Sequence, residues 1–155
     1  MNTTTDRSRK KISLIDRQRK IKVNSEYLDS GIDFLEKKIP TSIKKMNVVL
    51  VEDKEIIRLN KQFLQKNVST DVLTFRIGSI VEIVISVETA KRQATDQHHR
   101  IEEEILYLII HGLLHVSGYN DNSQNNYDKM KTEQDKLFFE VLRNINAERK
   151  KSGYC

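Results

Sequence analysis

Residues 101–117 read IEEEILYLIIHGLLHVS, the most apolar helical stretch in the chain. Three glutamates open it, where the positive end of the helix dipole favours them. Leucine and isoleucine fill most positions from 105 to 114, so this helix must be largely buried and the domain is built around it. His111 and His115 interrupt the apolar surface. Their i, i+4 spacing puts both imidazoles on one face, one turn apart and aimed at a common point. Zinc-binding helices use the same spacing.

The chain has four histidines, and roughly 0.1 such pairs are expected by chance from that composition, so the pair alone is modest evidence. The residues just beyond the pair add weight. Gly118 allows the left-handed turn that ends a helix and sends the chain back. Asp121 can then reach the same point from the other side. Three protein ligands with an open fourth position make a catalytic rather than a structural metal site. The competing readings are that Asp121 marks a site that has been lost, and that the histidines are satisfied core residues. His98 and His99, in a polar stretch at a helix junction, read as surface residues. Gly112 stands where a zinc peptidase helix carries its glutamate base, so a peptidase would need a base from elsewhere.

Working outward, residues 80–87, IVEIVISV, form a near-continuous apolar run suited to a buried strand. Residues 71–76, DVLTFR, and 46–51, MNVVLV, read as further strands. Residues 12–23 hold two short β-like pieces around a charged middle. Helices are expected over 25–38 with Ser25 as N-cap, over 53–63, 88–97 and 126–145, with 64–70 as a loop. Adjacent strands with helices grouped at the end predict an α+β fold: a single domain with a small mixed β-sheet packed with about five helices, the candidate metal site lying on the central buried helix. The domain spans residues 12–145, between a basic arm at 1–11 and a basic tail at 146–155.

The bulk properties bound the function. The 155 residues suffice for one domain with its own core; 37% are hydrophobic and 32% charged. No apolar run of about 18 residues exists, which predicts no membrane span. The first residues, MNTTTDRSRKK, lack a signal-peptide core, and the one cysteine is Cys155, so a cytoplasmic protein is expected. The net charge of +5 is crowded towards the two ends, which reads either as solvated tails or as sequence-independent phosphate contact.

These residues resemble a known family. HGLLHVSGYND at 111–121 is similar to the signature His-Gly-x-Leu-His-Leu-x-Gly-Tyr-Asp-His of the YbeY family of bacterial rRNA-maturation endoribonucleases. Leu59-Asn60, the run Thr70-Asp71-Val72-Leu73-Thr74-Phe75, IVEIVIS at 80–86 and Met130 keep the family's order, so the resemblance covers about residues 46–142. It implies a metal-dependent endoribonuclease specific for single strands. The implied role is maturation of the 16S rRNA 3′ end and ribosome quality control, with a metal-bound water attacking a phosphodiester. It implies one divalent metal per chain, usually Zn²⁺, and ribosomal RNA, ribosomal proteins or the ribosome as partners.

Two positions depart from the family. Its third ligand is a histidine where this chain has Asp121. Carboxylate is a sound zinc ligand, and a His-His-Asp set also suits Fe²⁺ or Mn²⁺. The family's phosphate-holding arginine falls at Leu64. Lys61, Lys66 and Arg76 are nearby candidates for RNA contact, or ordinary surface residues, and a lysine is a point charge where arginine is a fork. The alternative function is a catalytically weak RNA- or ribosome-associated protein whose metal is mainly structural.

Overall fold

The computed structural model describes residues 10–64, 70–151 and 153. Four strands, β1 (Ile12–Asp16), β2 (Lys45–Val51), β3 (Val72–Ile77) and β4 (Ile80–Ser86), form one sheet in the order β1-β2-β4-β3. β1 and β4 lie parallel to β2, and β3 runs antiparallel to β4, so the sheet is mixed. Five α-helices surround it among the described residues: α1 (Ser25–Leu35), α2 (Asp53–Leu64), α3 (Val87–Gln97), α4 (Ile101–Val116) and α5 (Gln124–Lys151).

β2 and β4 read as near-continuous apolar runs because both faces of the sheet are covered. Met46, Val48, Leu50, Val81, Ile83 and Ile85 enter the main core with Leu106, Ile109, Ile110 and Leu113 of α4. The alternate positions Val49, Val51, Val84 and Leu73 form a smaller cluster with Ile56 of α2. α1 and α5 pack against each other and against α4, so α4 is the central helix the sequence predicts.

Gly112 is where α4 comes closest to the sheet. A Cβ there would stand 2.7 Å from Ile83 Cδ1 and 3.0 Å from Thr74 Oγ1. The residue without a side chain is what seats the helix on β3 and β4.

Several boundaries differ from the sequence reading. Residues 12–23 hold one strand, not two: Gln18 folds the chain after Asp16 by accepting from the Lys20 and Ile21 amides at 3.0 and 2.9 Å. The N-cap of α1 is Asn24, whose side chain accepts from the Tyr27 amide at 3.1 Å, so Ser25 is the first helical residue. The last helix starts at Gln124 and runs on to Lys151, taking in much of the expected tail. Lys10 and Lys11, expected in the basic arm, are held against the domain: Lys10 pairs with Asp33 at 2.8 Å and the Lys11 amide donates to Glu36 at 2.9 Å. The loop expected at 64–70 falls largely outside the described residues, as do residues 1–9 and Cys155.

Candidate metal centre

The last turn and a half of α4 carries both histidines on the face towards α5. Their Nε2 atoms are 3.1 Å apart and their rings stand nearly perpendicular, at 78°. The His111 ring is held from its far side. His111 Nδ1 donates to Gln134 Oε1 at 3.3 Å, and Gln134 Nε2 donates to the Tyr107 carbonyl at 3.1 Å. The second bond fixes which way the buried amide points, and so requires the proton of His111 to sit on Nδ1. The Tyr119 main chain lies beside His115. Burial and the neighbouring His111 lower the His115 pKa, against the opposing charge of Asp121. A neutral imidazole is the form that donates a lone pair to a metal.

Two Nε2 lone pairs facing each other at 3.1 Å need a proton or a cation between them. Two nitrogens on one tetrahedral zinc stand about 3.3 Å apart, from a bond length of about 2.05 Å. The pair therefore fits a divalent ion, and the outer hydrogen bonds are those that orient metal-binding imidazoles.

Asp121 lies beyond the turn. The main chain closes α4 with Gly118 N donating to the His115 carbonyl at 3.2 Å and Tyr119 N to the Leu114 carbonyl at 3.0 Å. Gly118 adopts the expected left-handed φ of 108°. Asp121 is exposed and shares a cavity wall with His111. Among the described residues no three His, Cys, Asp or Glu side chains are drawn together as a metal-binding group. The histidines are thus brought together, and the aspartate stands near them without joining them.

Two cavities meet at His111. One, of about 530 Å³, runs along β3 past Thr74, Phe75 and Arg76 and also reaches His115. The other, of about 590 Å³, lies between α3, α4 and α5. Arg76 is exposed, and its Nε donates to the Gly78 carbonyl at 3.0 Å. Lys61 is exposed on α2; the Leu64 side chain and Lys66 fall outside the described residues.

His99 corrects the sequence reading. It is not a surface residue: its side chain is 22% exposed, and Nε2 lies 2.7 Å from Glu104 Oε1. Glu104 is buried, which raises its pKa against the pull of His99. Both line the larger cavity with His111. His98 is exposed, as expected, and ends α3 at a φ of 57°. Sequence reading also missed Gln134. A signal was present, since Gln134 is a polar residue on the stripe of Met130, Leu137 and Val141 that faces the core.

Comparison with known proteins agrees in extent with the fold. The family model described as endoribonuclease YbeY matches residues 5–141. The endoribonuclease YbeY of Petrotoga mobilis is 36% identical over 139 residues, covering 86% of this chain and 96% of that protein. That of Phytoplasma australiense is 37% identical over 117 residues, covering 69% and 78%. A solution structure from Thermotoga maritima superposes with a TM-score of 0.57 at 29% identity, over 86% of this chain and 93% of the other.

Proposed function

This chain belongs to the endoribonuclease YbeY family, and from that premise we propose that it is a metal-dependent endoribonuclease of single-stranded RNA. Its place is in cytoplasmic ribosome biogenesis, in maturation of the 16S rRNA 3′ end and ribosome quality control, with ribosomal RNA and the ribosome as partners. His111, His115 and Asp121 would hold one divalent ion, Zn²⁺ or else Fe²⁺ or Mn²⁺. Such an ion makes its water ionise near neutral pH and draws charge from a phosphoryl oxygen.

The observation that carries this reading is the Nε2 pair at 3.1 Å, with the His111 ring anchored from behind by Gln134. The remaining residues act on the substrate. Arg76, in the wall of the β3 cavity beside both histidines, supplies positive charge for a phosphate. Gly112 offers no group to accept a proton and no room for one, which separates this helix from a zinc peptidase's.

The test is metal content of the purified protein by mass spectrometry, beside Asp121→Ala and His115→Ala, with cleavage of a single-stranded RNA measured in parallel. About one ion per chain, lost or weakened in both variants together with cleavage, supports the reading. Cleavage that persists after strict removal of metal would sink it. A second reading has one observation in its favour: Leu64 stands where the family has a phosphate-holding arginine. In that case the protein binds RNA or the ribosome with a mainly structural ion, and wild type would keep its metal yet never cleave above background.

A further inference from the structure

The two cavities that meet at His111 differ in charge. Among the described residues, the one along β3 has no carboxylate on its walls and carries Arg76. Besides Asp121, assigned above to the ion, the one between α3, α4 and α5 is walled by Asp71, Glu104 and Asp135. Its one lysine, Lys131, is engaged by Asp135 at 3.2 Å. A phosphate entering the second cavity would meet several negative charges at close range, in a site partly shielded from solvent, where such repulsion is strongest. The same cavity is rich in rings. Phe138 packs edge-on against Tyr107 at 5.1 Å and meets Phe139 at 6.5 Å. Phe139 and Tyr127 are 65% and 48% exposed at its border. An uncharged aromatic ligand with N–H donors on its edge suits such a wall: rings for its faces and carboxylates for its donors.

We propose that the acidic, ring-lined cavity between α3, α4 and α5 is a subsite for an unpaired nucleobase, while the sugar-phosphate backbone runs along β3. The proposal rests on the RNA-cleaving function and gives the strand a direction across His111. Adenine and cytosine carry an exocyclic amino group that a carboxylate accepts, whereas uracil offers only its N3–H, set between two carbonyls that repel a carboxylate. The subsite should therefore rank adenine and cytosine above uracil, and any base above none.

The experiment measures binding of the metal-loaded protein to four labelled 2′-O-methyl octamers by fluorescence anisotropy: adenine, cytosine, uracil and an abasic strand. Cleavage of an ordinary single-stranded RNA is measured alongside. The expected result is adenine and cytosine octamers bound about tenfold more tightly than the abasic strand, within the range of one base–aromatic stack, with uracil between. Phe139→Ala, at an exposed position, should remove most of that advantage and leave abasic binding unchanged; Tyr127→Ala is the second variant. Arg76→Ala should weaken all four strands alike.

Wild type that cleaves RNA but binds all four octamers equally overturns the subsite alone. So does a Phe139→Ala that weakens all four in proportion. Wild type that neither binds nor cleaves overturns the subsite together with the RNA-cleaving reading. An arginine-rich peptide whose binding Phe139→Ala abolishes, with RNA binding untouched, would assign the cavity to a protein partner instead.

Discussion

Gln134 divides one amide between two jobs. Its oxygen holds His111, and its nitrogen holds the Tyr107 carbonyl one turn earlier on α4. In Gln134→Ala the imidazole loses the acceptor that keeps its proton on Nδ1. Metal affinity is expected to fall by about 10- to 100-fold, the usual cost of losing such a partner. Gln134→Glu keeps the acceptor and gives up the donor, so it should retain more metal than the alanine variant. Competition with a chromogenic chelator measures both, and equal affinity in all three proteins would dismiss the role. The histidine pair was legible in the sequence because four residues make about one helical turn, so adjacency on the surface comes from spacing alone. That Gln134 meets His111 was not, since it lies 23 residues away on another helix and only tertiary packing brings it in. His99 was misread for a different reason: its partner Glu104, five residues on, looked like one more acid in a helix's first turn.

At the scale of elements, the seat of α4 on the sheet is a tight contact. Gly112→Ala would press a Cβ against Ile83 Cδ1 and Thr74 Oγ1. It should destabilise the fold by about 1–3 kcal/mol, the common cost of overpacking. Ile83→Val removes the nearer of the two atoms. The double variant should therefore lose less than the sum of the two single losses, and strict additivity in urea denaturation would refute the contact as the cause. A second joint ties α2 to α3. Asp53, the first residue of α2, accepts from the Ser86 hydroxyl, from Thr89 Oγ1 at 2.8 Å and from Arg92 at 3.0 Å. Burial acts to raise its pKa, but the two hydroxyls and Arg92 outweigh it and the net shift is downward. A carboxyl with a lowered native pKa contributes stability above its unfolded value of about 3.9, and loses it as pH falls through the native one. Asp53→Asn should cost most stability at neutral pH, where the carboxylate is charged, and the gap to wild type should shrink below about pH 4, which flattens the acid limb. An acid limb identical to wild type would rule the joint out. The strands and helices themselves were largely legible, because each carries its own period. Caps were less so: Asn24 and Ser25 are both good N-cap residues, and the choice between them depends on Glu102, which accepts the Asn24 amide at 2.8 Å from far along the chain.

For the whole molecule, the α+β class comes from the order of elements, while the strand order β1-β2-β4-β3 does not. Nothing local says that β4 inserts between β2 and β3. That arrangement brings the β3 edge alongside α4 and so makes the cavity that reaches the two histidines. The uneven charge also acts at this scale. Lys10 is paired with Asp33 and the Lys11 main chain donates to Glu36, and within residues 1–9 the cationic side chains are Arg7 and Arg9. Each phosphate contact to a single strand contributes about 0.7 to the slope of log affinity against log salt. Deleting residues 1–9 should lower that slope by up to about 1.4, for two such contacts, and an unchanged slope would show that the arm does not touch RNA.

Gly112 has a consequence for descent as well as for packing. A helix with two histidines one turn apart is only one residue short of the peptidase pattern, and on paper a single substitution bridges them. In this fold Ile83 and Thr74 occupy the space that residue would need. A lineage could acquire the new side chain only by altering the sheet beneath it as well, passing through intermediates with weakened folds. The glycine therefore acts as a historical lock, keeping a short mutational distance from becoming an easy evolutionary route.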